Sequence, residues 1–285
     1  MLDMDLAHMP QGELGMKVAP SARGLVRLLL HITVAVLPWW IKNHIYRLLF
    51  GYRIGRGVRI GFSPIAVDKC AIGDNTRVGH LNLFWSTKEL RIEDNVRVGH
   101  FNLFRGGDLI HLERFVEIFR ANIINSIPDP DVDNPTCPEF RLGAGSVLTT
   151  AHWLDFTDSI TIGCRSSLGG RHSSLWTHSR HRTRPISIGS FVYLGSEVRL
   201  APGARIPALS IVGIGSVIVE TIRVPGHLIA GSPARPIKAL DRGDQSLVTR
   251  KTRRDLPDDV GAAELRQIES EIATSTRHSS LVGID

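Results

Sequence analysis

Aromatic side chains make up only 6% of this 285-residue chain, and its three cysteines, Cys70, Cys137 and Cys164, stand at unrelated spacings. So few rings point away from an aromatic core and toward packing by stacked aliphatics. Three scattered thiols exclude a disulfide framework and fit reduced cysteines in a cytosolic protein. No apolar run reaches the ~20 residues needed to cross a bilayer, because Arg27 and His31 interrupt the longest one. Zinc-finger, helix-turn-helix and RNA-binding signatures are all missing, so no nucleic-acid partner is expected. The formal charge of +6 instead suits an anionic ligand, a phosphate-bearing cofactor or an acidic surface.

What the chain does have is a period. Residues 188–223 divide into six unbroken hexapeptides, opened by Ile188, Leu194, Leu200, Ile206, Val212 and Ile218. A period of six is too short for a helical repeat and is a signature of the parallel β-helix. With three hexapeptides to a coil, in-phase starts fall at Ile54, Ile72, Ile92, Leu112, Leu142, Ile162, Ile188, Ile206 and Val224. Residues 72–84 and 92–104 are near copies. Stacked at ~4.8 Å, they put His80 over His100, Asn82 over Asn102 and Phe84 over Phe104. The His and Asn ladders are expected as a solvated polar strip, with glycan reading as the alternative. No single coil can bury its aliphatics, so only the stack makes a core.

Two steps are long. Between Leu112 and Leu142 the surplus covers the proline-rich stretch 126–138, and between Ile162 and Ile188 it is eight residues. Prolines make regular pairing unfavourable there, and loops on a rigid scaffold are where function sits. Three regions follow: 1–53 as a helical cap or membrane-interface segment, 54–240 as the β-helix, and 241–285 as a tail with one short helix. Residues 1–20 are polar and irregular and do not resemble a secretory signal. Residues 24–37 and 39–50 read as two helices parted by Pro38. A cap over the first coil is the first reading, and peripheral membrane contact through residues 24–50 the second. The tail helix is expected near 257–273, started by Pro257, with the last dozen residues disordered.

The second insert holds the chemistry: Thr177-His-Ser179, a basic stretch with His181, Arg184-Pro-Ile186, then Val192-Tyr-Leu-Gly-Ser196. Together with Ala201-Pro-Gly203 and Ala230-Gly-Ser-Pro-Ala-Arg-Pro-Ile237, this resembles the hexapeptide-repeat acyltransferases, especially bacterial sugar O-acetyltransferases. The resemblance is close over 142–240, at repeat level over 54–141, and does not reach the flanks.

It implies a left-handed parallel β-helix that forms a homotrimer and binds acetyl-CoA between subunits. The implied reaction is direct transfer of acetyl to a hydroxyl of a sugar or glycan precursor. His178 matches the family's catalytic general base, a role that needs a proton acceptor effective near neutral pH. The implied cofactor contacts are Tyr193, Gly195, Ser196, Gly213, Ile214 and Arg235, with Tyr193 where Trp is usual. Glu220 replaces a usual Lys, which weakens the phosphate end of the mapping. His152, Asp155 and His181 are candidates for acceptor binding, and His152 or Asp155 could instead orient the imidazole. No metal site is expected. A zinc enzyme like the β-helical carbonic anhydrases is disfavoured, because the histidine spacings do not match that family's triplet. A scaffold that kept the fold and lost the chemistry is the other alternative. The expected location is cytoplasmic, or peripheral at the inner face of the membrane.

Overall fold

The computed structural model describes residues 22–282, so the polar stretch 1–20 lies outside the described residues. Its body is a three-sided parallel β-helix. The first face holds eight strands, from Arg53–Ile54 to Arg205–Ile206, and the third face eight, from Ile65–Ala66 to Val217–Ile218. The second face holds ten, and the last of them, Ala234–Ala239, turns back antiparallel to His227–Gly231. Every other pairing is parallel, as a coiling chain demands.

The hexapeptide period sets the core. Ile54, Ile72, Ile92, Leu112, Leu142, Ile162, Ile188 and Ile206 stack in register on the first face. Leu194 and Val212 do so on the second face, and Leu200 and Ile218 on the third. All are buried. Phe84 lies over Phe104, with ring centroids 4.4 Å apart and 4° between planes. The ninth in-phase start is a correction. Val224 is exposed, and the Arg205–Thr221 bridge places Ile222 over Ile206 instead. The last coil is two residues short because the chain leaves the helix to form the closing hairpin.

The corners explain how a backbone that turns so often keeps its polar groups paired. Between the second and third faces, Leu81, Phe101, Ala121 and Ala151 take φ between 56° and 61°, a region that is costly for side chains carrying Cβ. The following residue in each coil satisfies the turn. The Asn82 side-chain oxygen accepts the Asn102 N–H at 3.0 Å, Asn102 does the same for Asn122, and Asn122 for His152. These asparagines are buried, at 1%, 2% and 0% exposure, so the expected solvated Asn strip is an internal backbone ladder. A parallel ladder of opposite sense lies outside it, where His80 and His100 accept the N–H of Phe62 and His80.

Helices α1 (Ala22–Ala35) and α2 (Trp39–Leu49) cap the first coil. Lys42 is buried at this junction and donates to the Ala35 and Gly61 carbonyls, each at 2.6 Å. His31 stacks on Phe50 at 4.1 Å inside a cluster with Tyr46 and Tyr52. No helix among the described residues is long and apolar enough to cross a membrane.

The tail is a strap. Helix α3 (Arg242–Thr249) starts on an Asp241 capping box. The chain then runs down the corner between the first and second faces, where Arg253 donates to the Asn95 and Phe115 carbonyls. Helix α4 (Ala262–Val282) climbs back, with Glu264 accepting from Ser190 and Ile272 beside Gly226. It begins five residues later than the sequence suggests and extends through most of the stretch expected to be disordered; residues 283–285 are outside the description. Leu256, Val260 and Phe191 make a second core beneath the strap.

Candidate active site

From first to second face the chain takes six residues in every coil, from Ile54 to Ile60 through Ile206 to Val212. The long steps are spent at the corner between the third and first faces, between Ile124 and Leu142 and between Leu175 and Ile188. Both inserts therefore leave the same edge, two coils apart with one coil between them, and they meet. Asn134 donates to the Thr183 hydroxyl at 2.9 Å and accepts its N–H at 2.9 Å, while Asp133 N–H reaches the His181 carbonyl. The coil between them ends in Trp153–Asp155.

Asp155 is where the two layers join. Its Oδ1 lies 3.1 Å from His178 Nδ1 and accepts from the Thr157 N–H and the Thr177 hydroxyl. The carboxylate is 2% exposed and the imidazole 26%. A buried carboxylate holding Nδ1–H leaves Nε2 as the proton acceptor of the ring. Trp176 stands edge-on to His178 at 6.1 Å and stacks on Trp153 at 5.8 Å. Both indoles are partly exposed, giving an aromatic platform beside the imidazole.

The other predicted residues separate. His152 is not at an acceptor surface. It is 1% exposed, its Nδ1 accepts the Ser173 N–H at 3.1 Å, and its Nε2 meets the Thr149 hydroxyl at 3.0 Å. It is the next rung of the asparagine ladder, and burial lowers its pKa to about 4. A histidine so depressed binds its proton more readily unfolded, so its contribution is present above ~6.5 and lost as pH falls toward about 4. The His152→Asn chain, whose amide oxygen can replace Nδ1, is expected to lose this acid destabilisation, worth ~3 kcal/mol over that window. Urea unfolding of both chains at pH 7 and pH 4.5 measures it.

His181 is exposed on the insert, and its role in the fold is the carbonyl that holds the proline-rich loop. Tyr193 lies on the second face, its ring over Gly169 and beneath α3, in a cavity of about 410 Å³ that also holds Arg165, Arg250 and Lys251. Gly195, Ser196, Gly213 and Ile214 follow the second-face strands into the next corner, where Ile214 is 74% exposed. The third face lies between that corner and His178, so one chain does not unite the two groups. Arg235, in the closing hairpin, is ion-paired with Glu220 at 2.7 Å. The substituted Glu220 thus engages the very arginine expected at a phosphate.

Trp153 and Trp176 were not singled out from the sequence. The signal was available, since both fall at outward positions of third-face strands in successive coils. Among the described residues, no group of three or more His, Cys, Asp or Glu side chains is placed to hold a metal ion.

No family model matches the chain. It is 34% identical over 74 residues to the galactoside O-acetyltransferase of Escherichia coli, a match covering 26% of this chain and 36% of that relative's length. The chain thus aligns with about a third of the curated relative. The solved UDP-N-acetylglucosamine acyltransferase of Campylobacter jejuni matches with a TM-score of 0.51 and 16% identity over 79% of this chain and 86% of its own. The chain shares the parallel β-helix fold of that enzyme. A polysialic acid O-acetyltransferase also aligns, with 18% identity over 75% of this chain, 98% of its own and a TM-score of 0.42.

Proposed function

We propose that this protein transfers an acetyl group from acetyl-CoA to a hydroxyl of a sugar or glycan. The observation that carries the reading is the His178–Asp155 contact, which engages Nδ1 of a partly exposed imidazole and leaves Nε2 outside that contact, beside two indoles. Nε2 takes the proton of the acceptor hydroxyl as its oxygen attacks the thioester carbonyl, and CoA leaves as the thiol. Asp155 is a positioning residue that holds the imidazole in one tautomer and steadies the imidazolium. Trp153 and Trp176 offer apolar faces on which the C–H side of a sugar ring can lie. The separation of His178 from Tyr193, Gly195, Ser196, Gly213 and Ile214 supports a homotrimer, in which one subunit's base faces a neighbour's cofactor wall.

The test is transfer of labelled acetyl from acetyl-CoA to a panel of sugars, alongside calorimetric binding of CoA. Binding with transfer to a hydroxyl is the expected result. A chain that binds no CoA is a scaffold, and the assignment then fails. The Glu220–Arg235 pair adds a sharper expectation. Glu220→Gln frees the guanidinium and is expected to tighten CoA a few-fold while leaving dephospho-CoA unchanged, as titration of both ligands would read.

A further inference from the structure

A groove of about 910 Å³ runs along the second face, away from the insert corner, walled on one side by the α1–α2 turn. Arg59, Arg77 and Arg97 stand in register on its neighbouring strands. Adjacent strands put these guanidinium groups ~5 Å apart at their bases, where like charges oppose one another. Asp255 pairs with Arg97 at 2.5 Å, but no described carboxylate pairs with Arg59 or Arg77. Arg120 and the stacked rings of His80 and His100 continue the lining, in which Glu117 is the one acidic residue. Arg59 and Arg77, two like charges in register with no carboxylate partner among the described residues, are complementary to an anion.

The other half of the groove is apolar. Val36 and Trp39 form its wall, with Arg59 over the Trp39 ring at 5.9 Å. That wall continues onto the outer surface of the helix pair, where Leu29, Trp40, Leu48 and Leu49 are 54%, 56%, 82% and 71% exposed. Exposed leucines on both helices, with basic residues and a pair of tryptophans near them, match the interface of a bilayer better than they match water.

We propose that the α1–α2 pair and this groove dock on a membrane that presents anionic phosphate headgroups. A headgroup phosphate sits between Arg59 and Arg77, and the exposed leucines and tryptophans enter the acyl boundary. This site is independent of the His178 chemistry.

Vesicle flotation of the full chain tests it, with phosphatidylcholine alone and with added phosphatidylglycerol. Wild type is expected to float only with the anionic vesicles and to be released by salt. Arg59→Gln/Arg77→Gln is expected to lower partitioning about 20-fold, and Trp40→Ser/Leu49→Ser to abolish it. The His178→Ala chain should float as wild type does, which keeps this result separate from the catalytic reading. Failure of wild type to float overturns the proposal, as does equal flotation with both vesicles. So does binding of free glycerol phosphate without flotation, which would mark a soluble ligand. A change in oligomer mass in Trp40→Ser/Leu49→Ser with flotation intact would make the helix face a contact between copies, and would also overturn it.

Discussion

Replacing Asp155 with Asn is expected to lower acetyl transfer at least 100-fold while CoA affinity stays within about twofold. The argument is the tautomer. Asp155 Oδ1 holds Nδ1–H at 3.1 Å from a site that is 2% exposed. An amide can turn its N–H toward Nδ1 instead, and the ring proton then moves to Nε2, where the hydroxyl proton must go. His178→Ala is expected to fall by 10²- to 10⁴-fold, as loss of a general base does. The two changes together should cost little more than His178→Ala alone, because residues acting as one unit are not additive. Steady-state rates and pH profiles of the three chains check this. A merely structural Asp155 would lower stability and leave the rate per folded molecule and its pH dependence unchanged. Equal rates in wild type and His178→Ala would remove the base from its assigned role.

The largest stability effect is expected at Gly99. A Cβ there would lie 2.0 Å from the Phe119 carbonyl oxygen and 2.8 Å from its carbon. That atom belongs to the backbone of the next coil and cannot swing aside as a side chain can. Relief requires parting two coils, which breaks ladder bonds and opens the core around Phe104 and Ile118. Gly99→Ala is therefore expected to cost more than ~4 kcal/mol. Gly215→Ala is the contrasting case. Its φ of +69° is strained for alanine, but nothing lies within 4 Å of the added carbon, so the loss is ~1 kcal/mol. Chemical denaturation of both variants measures the difference, and a near-equal loss would show that coil spacing is more compliant than the stacking implies.

The same contrast separates what was legible in the chain from what was not. Ile72, Ile92, Leu194 and Leu200 announce their burial through spacing alone, because a period of six maps each onto one face at one height. The pairs Phe84–Phe104 and Asn82–Asn102 follow from near-identical coils. Val224 was misplaced because the period assumes that the coil continues, and the chain departs into a hairpin with Ile222 in its place. His152 takes the core role that its sequence position left open beside acceptor binding. Its type and position suit an acceptor site, yet its ring nitrogen stands in for an asparagine oxygen in a ladder that is visible only once coils are stacked.

The sequence by itself determined the β-helix and its core residues, since periodicity is a local property, and its Thr177-His-Ser179 motif marked His178 as the candidate base. Tertiary structure decided the rest. It brought Asp155 to His178 across 23 residues, set Trp153 beside Trp176, and docked Asn134 on Thr183 across 49. It also tied Arg235 to Glu220 and folded the tail back as a strap. Each of these depends on which corner of the coil a residue occupies and on the height of its coil. Insert lengths reset both, and hydrophobic spacing carries no record of where a polar loop will land.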